Sequence, residues 1–203
     1  MKKLLVLMLS IFMLVSIAAT PVAAAAVTHT VVRGDSMWKI AVKYKVGLAE
    51  LKSANPHIKN PALIYPGDVL TIPTLDSVIS AYESEVIRLV NVERAKNGLS
   101  PLKEDWQLSR VARYKSQDMK DNNYFSHTSP TYGTPFEMMK NFGISYRSAG
   151  ENIARGYATP EAVVKGWMNS PGHRANILNK SFTHIGVGYV QNGNYWTQMF
   201  ILK

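Results

Sequence analysis

The chain contains no cysteine, and it opens on a segment that would carry it out of the cytoplasm. Lys2 and Lys3 precede an apolar run from Leu4 to Ala19, followed by Thr20, Pro21 and the small residues Ala23 to Ala26. A basic start, a short apolar stretch and an A-x-A-like end predict a secretory signal peptide over residues 1–25, cleaved within Ala24 to Ala26. The run is shorter than the roughly 20 apolar residues of a spanning helix. An uncleaved anchor is thus the lesser alternative, and no stable membrane span is expected after cleavage. An exported chain without thiols has neither a disulfide framework nor thiolate metal ligands. It must be held by packing and hydrogen bonds, over about 178 of its 203 residues. That length suits one small module and one domain of ordinary size.

Charge narrows the partners. The formal net charge of +9 falls to +7 once Lys2 and Lys3 are lost, and the excess is spread over both halves. No basic run is dense enough for a nucleic-acid groove, so none is expected as a partner. Attraction to an anionic wall polymer is the simpler reading. The missing thiol also excludes a cysteine peptidase.

Residues 27–75 form the predicted first module. Thr30-Val31-Val32-Arg33-Gly34-Asp35-Ser36 reads as a strand and turn. Asp35 or Ser36 can then cap a helix with apolar positions Met37, Ile40, Ala41 and Tyr44. A second short helix is expected from Gly47 to Ala54, and Val69-Leu70-Thr71-Ile72 closes as a strand. This βααβ order, with Gly34-Asp35 and Pro66-Gly67-Asp68, resembles a LysM domain over His29 to Pro73. The resemblance implies binding of peptidoglycan or another N-acetylglucosamine-containing glycan, in a groove between the loop after the first strand and the loop before the last. Those loops carry Gly34, Asp35, Ser36 and Met37 on one side and Leu63, Ile64 and Tyr65 on the other. Trp38 and Ile40 read as core, while Tyr65 is balanced between core and contact.

Only Thr74 to Ser77 separates this module from the next helical pattern, and four residues reach at most about 14 Å at roughly 3.3–3.6 Å each. In the second domain, 78–203, a first helix places Ile79, Tyr82, Val86, Leu89 and Val90 on one face and stops at Asn97-Gly98. A second starts near Asp105 with Leu108, Val111, Ala112 and Met119 inward. A third begins at Thr134-Pro135-Phe136-Glu137, a capping box with proline in the first turn. A fourth begins at Thr159-Pro160 and ends before Pro171-Gly172. A hairpin of Ile185 to Val190 and Tyr195 to Leu202 turns at Asn192-Gly193.

Three segments stand out: Tyr124-Phe125-Ser126-His127, Gly150-Glu151-Asn152-Ile153-Ala154, and Trp167-Met168-Asn169-Ser170-Pro171-Gly172-His173. Each places an imidazole or carboxylate beside a residue that interrupts regular structure, where site groups converge. With Leu89-Val90-Asn91-Val92-Glu93-Arg94-Ala95, they resemble the CAP superfamily (cysteine-rich secretory, antigen 5 and pathogenesis-related proteins) in its cysteine-free bacterial branch, from about Ala81 to Leu202. The resemblance implies an α/β/α sandwich, so the whole chain is expected to be α+β.

It also implies a cleft with a His-Glu-Glu-His tetrad, in some members holding a divalent metal such as zinc. Carried over by motif, His127, Glu151 and His173 fill three places, and Ser170 stands where the remaining glutamate would be. Those three are the candidate cleft and metal residues; no catalytic residue is assigned. The alternative for each is structural: a salt bridge from Glu151 to Arg155 or Arg174, and backbone hydrogen bonds for the histidines. Glu137 is a second choice for the missing carboxylate, though its capping-box place explains it without chemistry. His184 is expected outside the site. Ser126 and Ser170 lack the Gly-x-Ser-x-Gly turn of a serine hydrolase.

Two function classes follow. One is a secreted cell-wall- or spore-envelope-associated protein, non-enzymatic in its main role, with the LysM module setting location and the cleft binding a ligand, metal or partner. The other is a metal-assisted hydrolase of peptidoglycan or a wall peptide. Ser170 favours the first, because the lost carboxylate is the natural general base.

Overall fold

The computed structural model of the protein describes residues 26–203, so the predicted signal peptide lies outside them. The first module is β1 (Thr28–Thr30), α1 (Met37–Tyr44), α2 (Leu48–Ser53) and β2 (Val69–Thr71). The strands pair antiparallel, with His29 opposite Leu70. Ser36 caps α1 by accepting from the Lys39 amide, and Lys45, at φ 55°, ends it in the left-handed region. Met37, Ile40, Ala41, Leu51, Leu70 and Ile72 form the core. Asn55, fully buried, donates to the Leu51 and Thr71 carbonyls and accepts from the Thr71 amide, tying α2 to β2. Trp38 is not core: it is 54 % exposed, because the helical set Met37, Ile40 and Ala41 already fills the inner face.

The second domain runs α3 (Ser77–Lys96), β3 (Lys103–Glu104), α4 (Trp106–Asp121), α5 (Pro135–Asn141), β4 (Ser148–Arg155), α6 (Pro160–Met168), α7 (Pro171–Ile177), β5 (His184–Val190) and β6 (Tyr195–Leu202). The sheet order is β3-β5-β6-β4, parallel only between β3 and β5. Starts follow local chemistry: Asp76 accepts from the Val78 and Ile79 amides, Asp105 from Gln107 and Leu108, and Thr134 with Glu137 completes a capping box. Ile185, Val187, Trp196 and Phe200 face Val86, Val90, Val163, Trp167 and Ile177 of α3, α6 and α7. Met199 and Ile201 face Leu108, Val111, Met138 and Met139 of α4 and α5. The result is an α/β/α sandwich behind a βααβ module, an α+β chain.

Two elements depart from the sequence reading. Gly150-Glu151-Asn152 is not at a break but inside the eight-residue strand β4, paired with β6 along its length. Its interior residues are buried whichever way they point, so the polar–apolar alternation of a half-exposed strand is missing. The chain also resumes helix at Pro171, which serves as the first residue of α7.

α4 lies directly on β5. A side chain on Gly186 would overlap the backbone of Leu108 and Ser109, and one on Gly188 the backbone of Ala112 and Arg113. Beyond short β3, the edge of β5 is closed by side chains. Ser109 Oγ accepts from the Val187 amide at 3.2 Å, and Glu83 Oε1 accepts from the Tyr189 amide at 3.0 Å. Glu83 also takes Arg113 Nε on both oxygens at 2.9 Å, yet burial pushes its carboxyl up to about 7. Gly188→Ala is expected to cost about 3 kcal/mol, the upper end of overpacking effects, because backbone cannot swing aside as a side chain can. Chemical denaturation of the mature chain measures it.

Candidate functional site

β4 is an outer strand of the sheet, and consecutive residues on it point to opposite faces. Glu151 therefore looks toward α4 and α5, and Asn152 toward α7. The loop from α4 to α5 brings His127 to the first side. Its Nδ1 lies 2.7 Å from Glu151 Oε1, with the carboxylate 2 % exposed and the imidazole 53 % exposed. With Glu151 ionised, Nδ1–H donates and the Nε2 lone pair is left on a half-exposed ring. Glu151 Oε2 is buried without a hydrogen-bond partner. Burial raises the Glu151 pKa, opposed by the His127 hydrogen bond and the nearby Lys115 ammonium.

Lys115 is the largest surprise at this site. It is 1 % exposed, and its Nζ donates to the His127 carbonyl at 2.9 Å and to Tyr124 Oη at 3.1 Å. Burial lowers its pKa, while the charges of Glu151 and Asp118 pull the other way. One turn on, Asp118 accepts from Tyr124 Oη, Ser129 Oγ, Thr131 Oγ1 and Asn122 Nδ2, at 2.5–2.7 Å. Although burial opposes its charge, these bonds, led by Thr131, hold Asp118 below the usual carboxylate range. Four donors on one anion fix the 122–131 loop, and with it His127.

His173 approaches from α7. Its carbonyl accepts from Asn152 Nδ2 at 3.1 Å, and Asn176 Nδ2 donates to the Glu151 carbonyl at 3.1 Å and to Asn152 Oδ1 at 2.8 Å. Burial lowers the His173 pKa, with the His127 charge adding to it. His127 and Glu151 are thus in direct contact, while His173 meets β4 through its own carbonyl on Asn152. Ser170 caps α7 without a side-chain bond, and Glu137 is bound to the Thr134 amide and hydroxyl. His184 sits at the start of β5 beside Thr183.

The three residues do not form a metal shell in this arrangement. Among the described residues no group of three His, Asp or Glu side chains is placed to hold an ion. The Glu151 carboxylate is turned onto the His127 ring instead of standing beside it as a fellow donor. What the site offers is an imidazole oriented by a buried carboxylate, able to accept a proton or a ligand hydrogen bond. Lys115 was visible in the sequence as a lysine among the inward positions Leu108, Val111, Ala112 and Met119, and Asn152 lay inside a motif already singled out.

The first module has its own groove, about 450 Å³, lined in part by Met37, Trp38, Leu48, Lys52, Asn60 and Ile64. Asp35, Ser36, Met37 and Ile64 of the expected contacts line it; Gly34, Leu63 and Tyr65 do not. Trp38, Lys52 and Asn60 are additions.

Residues 87–201 match the family described as CAP, cysteine-rich secretory protein family, and residues 29–73 match the LysM domain. The chain is 65 % identical over 133 residues to the uncharacterized protein YkwD of Bacillus subtilis (strain 168), covering 66 % of this chain and 52 % of YkwD. It is 39 % identical over 75 residues to N-acetylmuramoyl-L-alanine amidase sle1 of Staphylococcus epidermidis, covering 37 % of this chain and 22 % of that one. The crystal structure of an extracellular protein containing a SCP domain from Bacillus anthracis str. Ames superposes with TM-score 0.61 at 38 % identity, covering 68 % of this chain and 47 % of that chain. The chain spans about half the length of YkwD and less of sle1.

Asp118→Ala strands four donors. It is expected to cost about 2–3 kcal/mol and to speed amide hydrogen exchange across 122–131 more than elsewhere. Glu151→Gln tests the buried charge. A carboxyl raised above its unfolded value of 4.5 contributes stability below that pH and loses it as pH rises through the folded value. The Tm of Glu151→Gln relative to wild type should therefore move upward as pH rises above 4.5, and show no pH trend below it.

Proposed function

Because the chain belongs to the CAP, or cysteine-rich secretory protein, family and carries a LysM domain ahead of it, we propose that it is a secreted protein held on the cell wall or spore envelope. The LysM groove grips N-acetylglucosamine-containing glycan, and the CAP cleft binds a ligand or partner beside that anchor. The observation that carries this reading is Trp38, a large aromatic side chain left half in solvent at a groove that also offers Met37, Leu48, Lys52 and Asn60. Such a surface covers a sugar face while polar groups take its hydroxyl and acetamido atoms. The similarity to a wall amidase supports peptidoglycan as the polymer. The net charge supports attachment to an anionic wall.

One observation favours a second reading, a hydrolase of peptidoglycan or a wall peptide. The His127–Glu151 pair has the form of a carboxylate-oriented general base. The binding role is preferred, because neither a three-donor metal shell nor a second carboxylate at Ser170 accompanies that pair.

The mature chain should sediment with insoluble peptidoglycan, and a chain lacking 26–75 should stay in solution. Trp38→Ala should weaken binding about 10-fold or more, the ~1.4 kcal/mol scale of an interface anchor. Sedimentation of the truncated chain to the same extent would reverse the assignment of roles. Release of soluble fragments from labelled peptidoglycan by wild type, and its loss in His127→Ala, would establish the hydrolytic reading instead.

A further inference from the structure

Helix α2 has two occupied faces. Leu48 and Lys52, one turn apart, line the glycan groove. Glu50, between them in sequence and on the opposite side of the helix, points to the second domain. There it meets Arg110 of α4 as a bidentate pair, with Nε on Oε1 at 2.5 Å and Nη2 on Oε2 at 2.9 Å. Tyr114, one turn along α4, adds its hydroxyl to Glu50 Oε1 at 2.8 Å. The Arg110 guanidinium carbon lies 5.2 Å from the centre of the Tyr114 ring and 5.4 Å from that of Phe142. At Gly47, which precedes α2, a side chain would project into the space filled by the Glu50 carboxylate and the Arg110 guanidinium. Planar guanidinium recognition of a carboxylate, with aromatic rings beside it, fixes direction as well as distance.

We propose that Glu50, Arg110 and Tyr114 form an intramolecular latch that docks the LysM module on α4, so that groove and cleft move as one rigid unit. The covalent connection supplies only proximity. β2 ends at Thr71 and α3 begins at Ser77, a short segment that leaves orientation open. The latch supplies orientation. α4 then carries both ends of the arrangement: Arg110 and Tyr114 hold the module, and Lys115 and Asp118 hold the His127 loop. A glycan in the groove lies against the same six-residue helix that grips α4, at a constant offset from His127. The inference stands on side-chain geometry and does not depend on what either site binds.

Nitrogen-15 relaxation of the mature chain tests it. Wild-type amides of 28–72 and of 77–203 should report one shared rotational correlation time. Arg110→Ala and Glu50→Arg should each shorten the value for 28–72 toward that of a small free module, with no change in the resonance dispersion of either domain. The exchanged pair Glu50→Arg/Arg110→Glu should restore the shared value. Independent tumbling in wild type would overturn the proposal. So would shared tumbling in both single variants, which would assign the docking to the short connection. Failure of the exchanged pair to restore coupling would reject the ion pair as its chemistry.

Discussion

The distance between α4 and β5 governs the rest of the molecule. Gly186 and Gly188 let helix backbone touch strand backbone, and no side chain could take their place without lifting the helix off the sheet. A helix held that close has little freedom to rotate, so residues along it are aimed at fixed targets. Ser109 reaches the edge of β5, Arg110 reaches the first module, Arg113 reaches Glu83, Lys115 reaches the His127 carbonyl, and Ser116 reaches the Gly188 carbonyl and Thr197. Five polar side chains within eight positions each find a distant partner. A looser helix would leave several buried without one, at the cost of an unmet hydrogen bond each.

How much of this was legible depended on whether a feature was local. The capping box at Thr134 and Glu137, the Asn97-Gly98 stop and the final hairpin are short-range chemistry, and they sit where the pattern puts them. β4 was not legible, because its interior is buried on both sides and its polar members Glu151 and Asn152 are matched by partners far away in sequence. Trp38 misled for the opposite reason. Large aromatics are usually inside, but only the helical phase of Met37, Ile40 and Ala41 decides which neighbour is left out. The motif match singled out His127 and Glu151, which the fold brings into contact, without revealing how they are turned. The carboxylate faces the ring, and nothing in the one-dimensional pattern encodes that rotation.

The cleft relies on Asp118 in a chain that has no cysteine. The loop that carries His127 needs to be held, and here the holding group is one anion with four donors around it. Such a clamp is indifferent to thiol chemistry. It is also reversible, so loosening the loop breaks hydrogen bonds but no covalent bond and requires no unfolding of the sheet. Lys115 completes the arrangement by joining the loop carbonyl to the buried negative charges, which ties the position of His127 to the electrostatics of Glu151.

The side-chain closure of β5 bears on how such molecules live together. Wherever copies of a protein meet at high local concentration, they press against one another for long times. An open strand edge under those conditions is a template on which sheets of neighbouring molecules can join. Ser109 and Glu83 occupy the Val187 and Tyr189 donors that such a neighbour would seek. Glu83 is thereby a block to edge-to-edge pairing as much as an internal strut.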